Sequence, residues 1–282
     1  MENSGPMQSF CTWLLVLYQM SIHHLAVVHE NAKIGAHVTI GPFAVIGEHV
    51  SIGDGCEISP HVVIDGWTEI GAGCKFLTGA IIGSPPQDLK YKGEETRVVI
   101  GNNCVFREYV TINRGTVGGG GITRLGNNCL LMAYSHVAHD CQIGNHVIFA
   151  NSAAPGGHVV VEDFAMIGGL VGIHQFVRIG AHSIVGGCSG IPQDVPPYMM
   201  VVGDRAKVYG LNSVGLKRRN FSEESIKALH KAHRILFRSK LSIKHAVEQV
   251  KAEIQGCAEV DYLIAFIEQS QRGICRGASK EK

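Results

Sequence analysis

The sequence predicts a long coil of short parallel strands closed by a small helical domain, on three observations. A six-residue frame holds from Ala26 to Asp194 with two interruptions, giving ten hexads over 26–85, three over 98–115 and twelve over 123–194. The first position of every hexad is Ala, Val, Ser, Thr or Cys, the third is Ile, Leu or Val in 21 of the 25, and the fourth is Gly in 13. Beyond Phe221 the apolar residues recur at helical spacing instead. A period this short means a strand stack in which each unit buries its apolar face on its neighbours.

The strand is positions one to three, with one and three inward and two outward. Positions four to six turn a corner, and Gly at four is expected to supply the conformational freedom of a tight turn. Three such units close a triangle of 18 residues, so Ile34, Ile52 and Ile70 should stack in one column, and Cys56 on Cys74 in another. Five of the nine cysteines (Cys56, Cys74, Cys104, Cys129 and Cys141) fall at position one, where the core takes a small residue. They read as packing thiols suited to a reducing cytoplasm, not as a metal or disulfide framework.

Residues 1–19 precede the frame. Phe10 to Met20 is apolar over about half of a membrane span, with no Lys or Arg before it. This stretch reads as an upstream extension or misplaced start, disordered and without function. The β-domain is expected over 20–198. Two insertions break it: Pro86 to Arg97, and Thr116 to Ile122 with its four consecutive glycines. Such loops on a rigid scaffold are places for function. Over 199–282 a linker leads to helices capped by Ser222 and Ser242, a third starting near Asp261, and a tail fraying after Arg276.

A formal net charge of +1 argues against a nucleic-acid binder, and no integral membrane segment is expected. The charge is polarised. From Lys217 to Lys282 there are 14 Lys/Arg against 8 Asp/Glu, so an acidic partner should meet the C-terminal part.

The 18-residue coil also assembles a site. His139 at a corner should carry Gly157 one coil above and Gln175 above that, at about 4.8 Å per step. Asp140 falls under His158, His174 lies beside Gln175, and His136 points outward on the same coil as His139. A group that attacks through a hydroxyl needs a base, which His139 can be. Asp140 can orient the imidazole, and the Gly157 N–H can receive an oxyanion. His37, His49, His61, His146 and His182 all fall at position six and are expected to be exposed turn residues. A zinc site of the carbonic anhydrase kind, built from His136, His139, His158 and His174, is a competing reading. So are an acyltransferase with another acceptor and a non-catalytic scaffold. The acid following His139 favours the base, with no metal and no cofactor.

Several motifs carry a resemblance: Ala138-His139-Asp140-Cys141, Gly157-His158, Ile173-His174-Gln175-Phe176, Gly186-Gly187-Cys188-Ser189-Gly190, Gln193-Asp194-Val195-Pro196-Pro197-Tyr198 and Gly215-Leu216-Lys217-Arg218-Arg219. Together they resemble the hexapeptide-repeat acyltransferases, and within them the UDP-N-acetylglucosamine 3-O-acyltransferase family of lipid A synthesis. The resemblance implies a left-handed parallel β-helix followed by a small helical domain, and a cytoplasmic homotrimer. It implies transfer of a (3R)-hydroxyacyl chain from acyl carrier protein to the glucosamine 3-hydroxyl of UDP-N-acetylglucosamine. It also implies substrate contacts by Gln87, Asp88, Lys90, His136, His158, His174 and Gln175. By the same resemblance, Gly187 leaves room for a long acyl chain, and Asn212 and Arg218 hold the nucleotide across a subunit interface. The chain departs from the pattern at Val214 and Asn113, where some members have Glu and His.

Overall fold

The computed structural model describes residues 21–278; the extension read at 1–19 lies outside the described residues. Two-residue strands at hexad positions two and three pair in parallel with those one coil away. Ile34 sits on Ile52 and Ile52 on Ile70, as an 18-residue coil requires. The two insertions are looped out, with one local shift where Ser84 pairs with Asn113, and the coil resumes beyond them, so Ile70 pairs with Ile100 and Ile100 with Leu125.

The result is a left-handed triangular prism. Its first face runs from Ser21–Ile22 up to Met199–Val202, where Lys207–Leu211 adds an antiparallel strand. The second runs from Val27–Val28 to Gly190–Ile191, its ladder divided between His136–Val137 and Ala154–Pro155. The third runs from Lys33–Ile34 to Arg178–Ile179. Positions one and three fill the interior. Phe76 and Phe106 stack there at 4.7 Å, and the five position-one cysteines are buried.

The corners correct one expectation. At twelve of the thirteen position-four glycines φ is not left-handed, Gly83 at 83° being the exception; glycine is favoured there because the next coil is too close. A Cβ on Gly53 would lie 2.7 Å from the Gly71 carbonyl carbon, and one on Gly71 would lie 2.8 Å from that of Gly101. The left-handed conformation falls at position six, with φ of 61° at His37, 60° at His61, 55° at His146 and 57° at His182. Histidine is among the side chains that tolerate this region, and rings placed there stack along the prism edge. His146, Phe164, His182 and Tyr198 form one such column, with spacings of 4.7, 4.8 and 5.8 Å. His182 is therefore half-buried, not exposed as its turn position suggested.

Four helices follow. Helix α1 (Ser213–Arg218) is capped by Asn212, α2 (Glu223–Arg238) by Ser222 and α3 (Ile243–Glu253) by Ser242; α4 is Ala258–Glu268. Sequence reading missed α1 and started α4 three residues late. Its N-cap, Cys257, gives no side-chain bond to the helix N–H groups, and Glu259 and Asp261 favour the first turn through the helix dipole instead. Helix α4 docks on the third face, where Arg178 lies over the Phe266 ring at 4.4 Å and the Tyr262 hydroxyl donates to Glu162. The chain is still paired two residues past Arg276, where the Ala278 N–H donates to the Val208 carbonyl; the rest of the tail expected to fray lies outside the described residues. Among the described residues, no helix is long and apolar enough to cross a membrane.

Candidate active site

The outward positions of the second face change character along the prism. Val27, Val45, Val63, Ile81 and Thr111 give way to His136, and above it stand Ala154, Gly172 and Gly190. Losing side chains over three coils cuts a groove of about 720 Å³ beside His139. It is bordered by Gln87, His136, His139, Gly157, His174 and, at the upper end, Pro192, Asp204 and Arg205.

His139 occupies the corner after this face. Its Nδ1 lies 2.8 Å from Asp140 Oδ2, and the Asp140 side chain is fully buried. That carboxylate is held on both oxygens by Thr116, whose N–H donates to Oδ1 at 2.8 Å and whose hydroxyl donates to Oδ2 at 2.6 Å. The Asp140 N–H donates to Thr123 Oγ1 at 2.8 Å. With donors on both oxygens, Asp140 serves as an acceptor, so His139 Nδ1 is the donor toward it and Nε2 is left to face the groove as proton acceptor.

Gly157 lies where the coil arithmetic put it. A Cβ there would come within 2.5 Å of His139 Cε1, so any side chain at this corner would displace the imidazole. On the opposite corner the equivalent N–H groups of Ala72, Asn102, Asn127 and Asn145 are each taken by a side-chain oxygen of the next coil, at 2.7–2.8 Å. The Gly157 N–H has no acceptor among the described residues, and is open to a ligand.

The other expected residues divide. His136 lines the groove with Nδ1 2.7 Å from Thr111 Oγ1, and burial, then the charge of His139, lowers its pKa. His158 meets His139 edge-on at 5.2 Å, with Nε2 3.8 Å from Asp140 Oδ2, and stacks on Phe176. His174 faces the groove; Gln175 is exposed on the neighbouring corner and does not border it. Gln87 reaches the groove from the first insertion. Asp88 uses its carboxylate on the Lys90 N–H at 3.0 Å, and neither residue borders the groove. Gly187 sits on the corner after the first face, against Gly169. Asn212 and Arg218 belong to the corner after the third. There the Asn212 amide donates to the His182 carbonyl at 2.8 Å and caps α1, while Arg218 is exposed.

His139, Asp140 and His158 also bring three potential metal ligands within 4.8 Å of one another. His136 and His174, the other ligands of the zinc reading, are not in that group. The Asp140 oxygens already accept from Thr116 twice and from His139, which is the environment of an orienting acid.

Residues 31–66 and 122–153 match the bacterial transferase hexapeptide model, and residues 194–275 match the second domain of UDP-N-acetylglucosamine O-acyltransferase. The acyl-[acyl-carrier-protein]–UDP-N-acetylglucosamine O-acyltransferase of Trichlorobacter lovleyi is 58% identical over 261 residues, spanning 92% of this chain and 100% of that one. The chain belongs to this family. The enzyme of the same name from Thermodesulfovibrio yellowstonii is 56% identical over 255 residues, spanning 90% of this acyltransferase and 99% of its own length. Among solved structures, the UDP-N-acetylglucosamine acyltransferase of Francisella novicida aligns with a TM-score of 0.87 at 38% identity, covering 93% and 99% of the two chains. That of Bacteroides fragilis aligns at 0.87 and 42%, covering 90% and 99%.

Sequence reading of this acyltransferase missed Thr116, Thr123 and Thr111. A threonine carries no chemical signature until the fold places its hydroxyl on a carboxylate or an imidazole. The available signal was position: Thr116 opens the second insertion, just ahead of the glycine run. Asn113 is likewise structural here, donating to the Pro85 carbonyl at 3.0 Å.

Proposed function

We propose that this acyltransferase moves a (3R)-hydroxyacyl chain from acyl carrier protein to the 3-hydroxyl of UDP-N-acetylglucosamine, the first step of lipid A synthesis, in the cytoplasm. The observation that carries the chemistry is His139, fixed by a doubly held Asp140 beside an open Gly157 N–H. The sugar hydroxyl attacks the thioester carbonyl and passes its proton to His139 Nε2. The Gly157 N–H donates to the oxyanion that forms. Collapse breaks the C–S bond, and His139 returns the proton to the departing thiolate. Among the described residues no Ser or Cys borders the groove, which favours direct transfer over an acyl-enzyme.

A homotrimer completes the reading. Gly187, His139 and the pair Asn212 and Arg218 occupy three different edges of one prism, and residues on different edges can share a site only between copies. The surface supports this. Outward positions of the third face are mostly polar (Lys33, Ser51, Glu69, Arg124, Gln142 and Arg178, with Val99 and Val160 among them), whereas the edge between the first and second faces exposes Phe43, Tyr109, Tyr134 and Leu170. Val27, Val45 and Ile81 extend that apolar surface. The acidic carrier protein would meet α2, whose Lys227, Lys231, Arg234 and Arg238 line one cleft. Incubating purified protein with UDP-N-acetylglucosamine and hydroxyacyl carrier protein should give a nucleotide product heavier by one acyl group in mass spectrometry. An unchanged nucleotide would refute the assignment.

A further inference from the structure

The upper end of the groove adjoins a second cavity of about 430 Å³, bordered by Pro192, Gln193, Arg205, Ala206, Lys207 and Arg276. The two cavities share Pro192 and Arg205 as their common wall. Three strands of the fold's end build it. Ala206 donates its N–H to the Gly190 carbonyl, which keeps Arg205 at the top of the second face. The C-terminal tail pairs along both sides: the Cys275 N–H donates to Asp194 at 2.8 Å, and the Val208 N–H to the Arg276 carbonyl at 2.8 Å. This pairing brings Arg276, seventy residues on in the chain, beside Arg205 and Lys207.

All three charged side chains around the cavity are cations. None of them makes a side-chain hydrogen bond or ion pair with another described residue. The acid that borders the junction is Asp204, on the groove side, and it forms no ion pair with Arg205. Three unpaired cations against one carboxylate leave a net positive end to a groove whose floor is Ala154, Gly172 and Gly190. Such a groove takes a thin, extended molecule carrying an anion at one end.

The length decides which anion. From the strand of His136 to that of Gly190 there are three coil steps, or roughly 14 Å, and Arg205 lies just beyond. In a carrier-protein thioester, thirteen bonds separate the reacting sulfur from the phosphorus of the phosphopantetheine arm. At the reach of an extended peptide per bond, that is roughly 15 Å. We infer that Arg205, Lys207 and Arg276 form a subsite for the phosphate of the donor's phosphopantetheine arm, which lies along the Ala154–Gly172–Gly190 trough with its thioester at His139. The inference rests on the proposed donor class. It adds that part of donor recognition belongs to the arm itself and not to the carrier protein's surface.

The test compares two small donors: the hydroxyacyl thioester of 4′-phosphopantetheine and that of pantetheine, which lacks only the phosphate. Wild-type enzyme should prefer the phosphorylated donor in kcat/KM. Lys207→Gln combined with Arg276→Gln should reduce that preference by about tenfold or more, through KM. Lys207→Arg should retain it, and thermal melting should show the double variant folded. An unchanged preference in the folded double variant overturns the subsite. A rise in KM for the nucleotide sugar with the donor preference intact overturns it too, by assigning the cations to the acceptor's diphosphate. Failure of wild-type enzyme to use either donor or the carrier protein would instead refute the donor class itself.

Discussion

Thr116 and Asp140 are joined twice, backbone N–H to Oδ1 and hydroxyl to Oδ2, across the 24 residues between an insertion and a corner of the coil. The joint leaves the carboxylate one remaining task, to accept from His139 Nδ1 at 2.8 Å. Imidazole orientation therefore depends on a loop outside the repeat. Thr116→Val should lower kcat about 10- to 100-fold, the size of a hydrogen bond to a charged group, with little change in KM. Thr116→Ser should restore most of it. Equal loss in both variants would point to loop collapse and not to the hydroxyl.

His139→Ala should lower kcat by at least about 10²-fold, the low end for a general base. Its melting temperature should stay near that of wild type, because the ring is at the surface end of the corner and not in the core. Near-wild-type turnover would remove His139 from the mechanism.

Gly157→Ala tests the oxyanion position by geometry alone. The added Cβ would stand 2.5 Å from His139 Cε1, so the ring must move away from the open N–H. A loss of about 10²-fold in kcat is expected, as for removal of one oxyanion donor. An active, folded variant would show that the two groups need not act together.

The column of His139, Gly157 and Gln175 was legible because the hexad frame is rigid: once 18 residues make a coil, vertical neighbours follow by addition. The same arithmetic could not show what lies beside the column. Thr116 reaches Asp140, and Gln87 the groove, from insertions whose paths no period sets. Asp88 and Lys90 looked equivalent to Gln87, yet their own turn directs them elsewhere. The conformational reason given for position-four glycine holds at Gly83 and fails at the other twelve, since a period shows that a residue recurs and not whether conformation or clearance favours it. The half-buried ring of His182 was missed because burial at a prism edge depends on its stacking partners and on Phe221 from beyond the repeat.

Shared sites predict complementation. His139→Ala and Arg218→Ala chains should each be weakly active alone, and mixed oligomers should recover part of the activity, since some sites then draw an intact His139 and an intact Arg218 from different chains. Mass spectrometry would verify the mixed species. Verified mixed trimers without recovered activity would count against a site spanning two copies.

Two histidines should make stability depend on pH. Burial first, then the positive charge of Arg219, pushes His182 down to about 4, with Asp163 opposing. Burial, then Arg238 and His230, does the same to His233, also to about 4. Neither His182 Nδ1 nor His233 Nε2 has a hydrogen-bond partner among the described residues. Both rings are therefore neutral in the folded protein at a pH where an unfolded histidine, with its ordinary pKa of about 6.5, is already protonated. Below that value the unfolded chain binds more protons than the folded one, so stability falls as pH drops from about 6.5 toward 4. His233→Phe removes one of the two groups and fills its space beside Phe237 with a ring that cannot titrate. The variant's melting temperature should decline less steeply than the wild type's between pH 7 and 4.5. Parallel declines would mean that His233 already carries its proton in the folded state, in spite of its burial.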